Sequence, residues 1–179
     1  VPLHENYYNL MDKDVLERQA ALAKRAGIYG FCFYHYWFHG RMVLEKPVQM
    51  LLDNNKIDFH YCFSWANEPW TKTWHGAGGN KEILIPQTYG REDEWKAHYK
   101  YFRPFFMDER YIKEENQPLL LIYRLRNIPF FNDMIRCWNE CAREDGFSGI
   151  FVVSMNKSRE HVAKSQWVNA SVDFEPNRT

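Results

Sequence analysis

Between residues 12 and 26 the apolar side chains Leu16, Ala20 and Ala23 recur at i, i+4 and i+7, with Glu17, Arg18, Lys24 and Arg25 at other positions. That spacing predicts an amphipathic helix, and Gly27 stands where its C-terminal cap belongs. Residues 28–38 are a nearly unbroken apolar and aromatic run, as a strand covered on both faces requires. The same alternation then repeats. A helix is predicted over 44–53, a strand over 59–65, and a helix over 91–106 whose stripe carries Trp95, Tyr99, Phe102 and Phe106. A glycine-rich loop at 76–79 lies between the last two. A strand over 119–123 precedes a helix over 130–144 with Phe131, Ile135, Trp138 and Ala142 on one side, capped by Gly146. A strand over 149–154, a short polar helix over 158–166 and a last strand over 170–174 complete the prediction.

Strands alternating with helices imply parallel pairing through right-handed crossovers, in either an open doubly wound sheet or a closed barrel. No GxGxxG or phosphate-binding loop follows a strand. Polar and aromatic residues crowd the C-terminal ends of the strands, where barrels carry their active sites. The expected class is therefore α/β, a (β/α)8 TIM-type barrel covered only in part, with about four to five strands against the eight of a full barrel of about 250 residues. Residues 1–179 are expected to form one partial barrel domain. Two open sheet edges would invite self-association.

Composition narrows the partners. The 179 residues are 45% hydrophobic, and 23 basic side chains balance 23 acidic ones, so nothing marks a nucleic-acid or anionic-membrane footprint. Neutral substrates fit this balance better than phosphate polymers. Seven Trp, eleven Tyr and thirteen Phe exceed what a core of this size needs. No apolar run reaches eighteen residues and no signal-peptide pattern opens the chain, so a cytoplasmic protein without membrane insertion is expected. Cys32, Cys62, Cys137 and Cys141 form no CxxC pair and read as buried free thiols. With the histidines scattered singly, neither a metal nor a cofactor is expected.

Three constellations carry candidate chemistry. In the first, alternation sends Tyr34 and Tyr36 to one side of a strand and His35 and Trp37 to the other, and one set must face the barrel interior. A sugar offers an apolar face of C–H groups and a rim of hydroxyls, which suits Trp and Tyr; the alternative is an aromatic core with one satisfied histidine. The second is Trp65-Ala66-Asn67-Glu68-Pro69-Trp70, with Trp74 and His75 close behind. A carboxylate flanked by indoles would have its pKa raised toward that of a general acid, with Asn67 holding a substrate hydroxyl or orienting the carboxylate. The alternative is a surface turn that ends the strand. The third set is Gln87, Tyr89, Tyr123, Arg124, Asp173 and Glu175, each where a βα loop should begin; Arg124 also reads as a plain salt-bridge partner. Trp138-Asn139-Glu140 falls in mid-helix and reads as packing.

Gly27-Ile28-Tyr29-Gly30-Phe31, Tyr34-His35-Tyr36-Trp37-Phe38, Trp65-Ala66-Asn67-Glu68, Gln87-Thr88-Tyr89, Arg110-Tyr111-Ile112 and the segment 118–124 together resemble the WbsX-type glycosyltransferases, which are grouped with glycoside hydrolase family 99-like barrels. The resemblance implies a barrel enzyme acting on glycans, commonly in lipopolysaccharide O-antigen or capsule biosynthesis. It also implies a first strand upstream of Pro2-Leu3-His4 and an Asn-Glu-Trp-x-Glu-Gly-type motif downstream of Phe174-Glu175-Pro176, which in the related hydrolases supplies the carboxylate pair. Neither is in this sequence. Glu68 is then the leading catalytic candidate and Glu175 a second, since hydrolysis needs two carboxylates flanking the bond. Members of the family often have Asn after Asn-Glu, whereas Asn67-Glu68-Pro69 matches the acid/base tripeptide of a large clan of retaining β-glycosidases. That clan is one alternative, and a non-catalytic glycan-binding module is another.

Overall fold

A computed structural model describes residues 7–72, 82–155 and 166–173. Its first helix, α1 (Lys13–Arg25), buries Leu16, Ala20 and Ala23, and Asp12 caps it by accepting the Asp14 N–H at 3.0 Å. Gly27 follows with φ of 75°. Strand β1 (Gly30–Phe38) turns back through His39 and Gly40 into β2 (Arg41–Val43). Both turn residues have positive φ, 50° and 83°, as a type I′ hairpin requires. The remaining elements are α2 (Lys46–Asp53), β3 (His60–Trp65), β4 (Trp70–Thr71), β5 (Ile83–Ile85), α3 (Glu92–Met107), β6 (Lys113–Glu114), β7 (Gln117–Ile122), α4 (Phe131–Glu144), β8 (Phe151–Met155) and β9 (Ala170–Val172).

Strands β1, β3, β7, β8 and β9 pair in parallel in that order, while β2 and β6 add antiparallel pairs to β1 and β7. This is the expected mixed α/β architecture with a parallel sheet, consistent with part of a (β/α) barrel. The hairpins β1–β2 and β4–β5 were not expected, because strands of two or three residues have too short a pattern to read. Gly30 sets the register of β1 against β3: a Cβ there would lie 2.6 Å from the His60 carbonyl oxygen.

Each face of the sheet has its own chemistry. One face packs against helices α3 and α4 through His35, Phe63 and Trp65, which meet His98, Phe102 and Trp138. The other carries Cys32, Tyr34 and Tyr36 beside Cys62 and Ser64 of β3, and Ser64 Oγ lies 3.0 Å from Met155 Sδ across the sheet. The four thiols are free, as expected, but only Cys62 and Cys137 are buried: Cys32 is exposed on this second face of β1, and Cys141 is partly exposed on α4. Asn139 does pack: it is buried in α4 and its Oδ1 accepts the Ile150 N–H at 2.7 Å, fixing the start of β8. The polar helix expected over 158–166 lies almost wholly outside the described residues. No helix among them is long and apolar enough to cross a membrane.

Candidate functional site at the strand ends

The C-terminal ends of β3 and β7 are tied together by one buried side chain. Asn67 is fully enclosed; its Oδ1 accepts the Arg124 N–H at 2.7 Å and its Nδ2 donates to the Arg124 carbonyl at 2.9 Å. Tyr89 joins the clamp by donating its hydroxyl to the Asn67 carbonyl at 3.0 Å and accepting from Asn67 Nδ2 at 3.2 Å. Burial, as the largest cause, pushes the Tyr89 phenol up to about 12. Asn67, 0% exposed, is thus out of reach of a sugar hydroxyl. Of the two roles expected for it, the geometry gives it the positioning one.

The clamp brings Glu68 and Arg124 together. Arg124 Nε donates to Glu68 Oε1 at 2.8 Å, with both side chains partly exposed, and this hydrogen bond is the main cause that raises the guanidinium's pKa. The guanidinium also lies over the Tyr123 ring, 4.6 Å from its centroid. The carboxylate therefore meets a cation here, and the flanking indoles expected from the sequence are turned elsewhere. Trp65 is 2% exposed and packs edge-on to His98, on the helix side. Trp70 leans toward β1, where it meets Tyr36 edge-on at 5.4 Å and Phe38 at 6.1 Å.

Tyr34 and Tyr36 are the pair on the face away from the helices, their rings 6.3 Å apart and tilted by 34°. Tyr34 is 47% exposed, and what burial it has is the leading cause of its raised pKa, followed by Cys32 and Tyr123. With Trp70, these rings make an aromatic wall along the end of β1. His35 and Trp37 belong to the opposite layer. His35 is 3% exposed and its Nε2 lies 2.8 Å from His98 Nε2, while Trp37 stacks on His98 at 4.5 Å and donates its indole N–H to Glu94. Burial lowers the His35 pKa to about 3 and that of His98 well below the usual imidazole value. Both rings are thus neutral, so one donates and the other accepts.

Gln87 props this layer, donating to the Trp37 carbonyl at 3.2 Å, with its buried Oε1 unpartnered among the described residues. Trp74, His75 and Glu175 lie outside the described residues. The structure adds two residues that sequence reasoning did not single out. A cavity of about 240 Å³ opens beside Glu68 and Arg124, and Arg126 and Ser154 line it. Arg126 carries the signal used for Arg124, a charged residue just after a buried strand. Ser154 sits within an apolar strand and carries none.

An aromatic wall and an ion-paired carboxylate at the C-terminal ends of parallel strands stand, with the family that follows, for a domain of a carbohydrate-active class on a mixed α/β frame consistent with part of a (β/α) barrel. The chain belongs to the family described as Glycosyltransferase WbsX, which matches residues 1–179. Two strains of Xanthomonas campestris pv. campestris, B100 and ATCC 33913, each have a protein called uncharacterized protein WxcX that is 30% identical over 177 residues, covering 99% of this chain and 25% of the relative. The chain thus spans about a quarter of the length of these curated relatives. Among solved structures, the GH99 endo-alpha-mannosidase of Bacteroides thetaiotaomicron matches 89% of this chain and 42% of its own with a TM-score of 0.57 at 12% identity. A glycoside hydrolase-like protein matches 83% and 45% with a TM-score of 0.56 at 14% identity. At such identities these two matches speak for the fold.

Proposed function

We propose that this domain belongs to an enzyme acting on glycosidic bonds of a surface polysaccharide, with the glycan lying along Tyr34, Tyr36 and Trp70 and its reacting bond at Glu68. The observation that carries the reading is the placement of Glu68 itself. It is a carboxylate at the strand ends, two residues before Trp70 of the aromatic wall, paired with Arg124, whose backbone Asn67 holds. An oxocarbenium-like transition state is stabilised by a carboxylate in such a position, and hydrolysis through retention calls for a second one about 5 to 5.5 Å away. Glu175 remains the candidate from this chain.

Fold kinship favours hydrolase chemistry and family membership favours glycosyl transfer; both place a carboxylate at the bond. One observation favours a second reading, in which the domain binds glycans without cleaving them: Glu68 is ion-paired, and no second carboxylate is among the described residues that line its cavity. Replacing Glu68 by Gln in the whole natural protein separates the two. An enzyme would lose turnover while keeping its affinity for the glycan; a binding module would show no turnover before or after the change.

A further inference from the structure

The cavity beyond Glu68 differs in chemistry from the aromatic wall. Its lining combines Glu68, Arg124, Arg126, Asn127 and Ser154. Glu68 offsets one guanidinium through its ion pair with Arg124, whereas Arg126 forms no ion pair or hydrogen bond among the described residues. One uncompensated positive charge therefore remains. Ser154 is 1% exposed, lines the cavity, and its Oγ has no hydrogen-bond partner among the described residues. A buried hydroxyl without a partner is costly unless something else takes its proton.

The loop that carries the arginines is held in place. Leu125 and Ile128 are buried on either side of Arg126, the turn Leu125–Asn127 is a 3-10 helix, and Asn67 holds the Arg124 backbone. A held backbone that presents two arginines at one cavity suits the planar oxygens of a carboxylate or phosphate. At about 240 Å³ the cavity falls below the roughly 300–1,000 Å³ of drug-sized sites. It suits one sugar residue or its substituent, not a longer chain.

We propose that this cavity is a subsite for an acidic sugar, whose anionic group, a carboxylate or a phosphate ester, is bound by Arg126 with the support of Arg124 and the Ser154 hydroxyl. The inference rests on the glycan reading above and names the class of sugar that this end of the site accepts. The near-zero net charge of the chain does not oppose it, because selection here is local.

The test titrates the whole natural protein with D-glucose, D-glucuronate, glucose 6-phosphate and inorganic phosphate, followed by calorimetry or ligand-observed NMR, alongside R126A and R126K. Arg126 is exposed, so neither variant threatens the fold. At least one acidic sugar should bind about tenfold more tightly than glucose, the scale of one charge-assisted hydrogen bond. R126A should abolish that preference, and R126K should keep part of it. The carboxylate and phosphate arms identify which anion is preferred. Equal affinity for glucose and both acidic sugars overturns the subsite and leaves the glycan reading intact, as does a preference that survives R126A. Binding of inorganic phosphate with no binding of any sugar overturns the glycan reading itself.

Discussion

Asn67 holds the backbone of Arg124 from both sides, accepting its N–H at 2.7 Å and donating to its carbonyl at 2.9 Å. The next residue, Glu68, takes the guanidinium of the same arginine at 2.8 Å. Two consecutive residues at the end of β3 thereby fix both the main chain and the side chain of the residue that opens the loop after β7. The carboxylate and the loop are one rigid unit.

Replacing Asn67 by Ala should break that unit. The Arg124 N–H and carbonyl would lose their partner in a buried setting, at a cost of roughly 2–3 kcal/mol. Urea denaturation reads the loss. Glycan affinity should fall with it, because Glu68 and Arg124 lose their support. A variant as stable as the parent contradicts the clamp.

Tyr34 is half exposed, so Tyr34→Ala should cost stability no more than about 0.5 kcal/mol. Its effect belongs to the ligand. Removing an aromatic platform should weaken glycan binding about fivefold to tenfold, the energy of one aromatic contact. Calorimetry with a polysaccharide fragment measures it, and Trp37→Phe is the control, since Trp37 sits in the helix-side layer. There, stability should change and affinity should not.

The buried pair of His35 and His98 predicts a pH dependence. Burial depresses both folded-state pKa values, His35 to about 3. The unfolded chain takes up protons near pH 6.5 that the folded chain refuses, so this stabilising contribution is complete above about pH 6.5 and is lost progressively as the pH falls toward 3. His35 alone costs the fold up to about 1.4 kcal/mol per pH unit on descending through that window. Neither ring should titrate by NMR between pH 8 and pH 5 in the folded protein. A ring that titrates near 6.5 contradicts the burial.

At the opposite end of the sheet, Arg110 pairs with Asp108 at 2.6 Å and donates to the carbonyls of Leu52, Asn54 and Ile57, with both charged side chains nearly buried. Arg110→Ala leaves Asp108 and three carbonyls without that partner and should destabilise the fold by about 3–5 kcal/mol. Glycan affinity measured below the unfolding transition should be unaffected. Thermal denaturation and binding together check this.

The layered architecture was legible because strands covered on both faces read as apolar runs and the helices between them carry clear stripes, as α4 does with Phe131, Ile135, Trp138 and Ala142. The face of each aromatic in β1 was not. Tyr34 and Tyr36 alternate with His35 and Trp37, and both sets have the amphipathic chemistry of a sugar platform, so periodicity separates the two without saying which one the helices cover. Residues of α3 decide it, among them His98, 63 positions away from His35. Asn67 and Arg124 were marked by their place after buried strands, but their union depends on a contact 57 residues long in sequence. Ser154 left no signal at all, since a single hydroxyl in an apolar strand looks like packing.

The most direct test of the account is turnover and affinity measured side by side on the whole natural protein and on its Glu68→Gln variant, against a bacterial surface polysaccharide. The account predicts that glycosidic cleavage or transfer falls by at least about a hundredfold in the variant, the scale of a lost acid or base, while the dissociation constant for the glycan changes less than about threefold. Unchanged turnover in the variant would contradict the central claim that the reacting bond lies at Glu68.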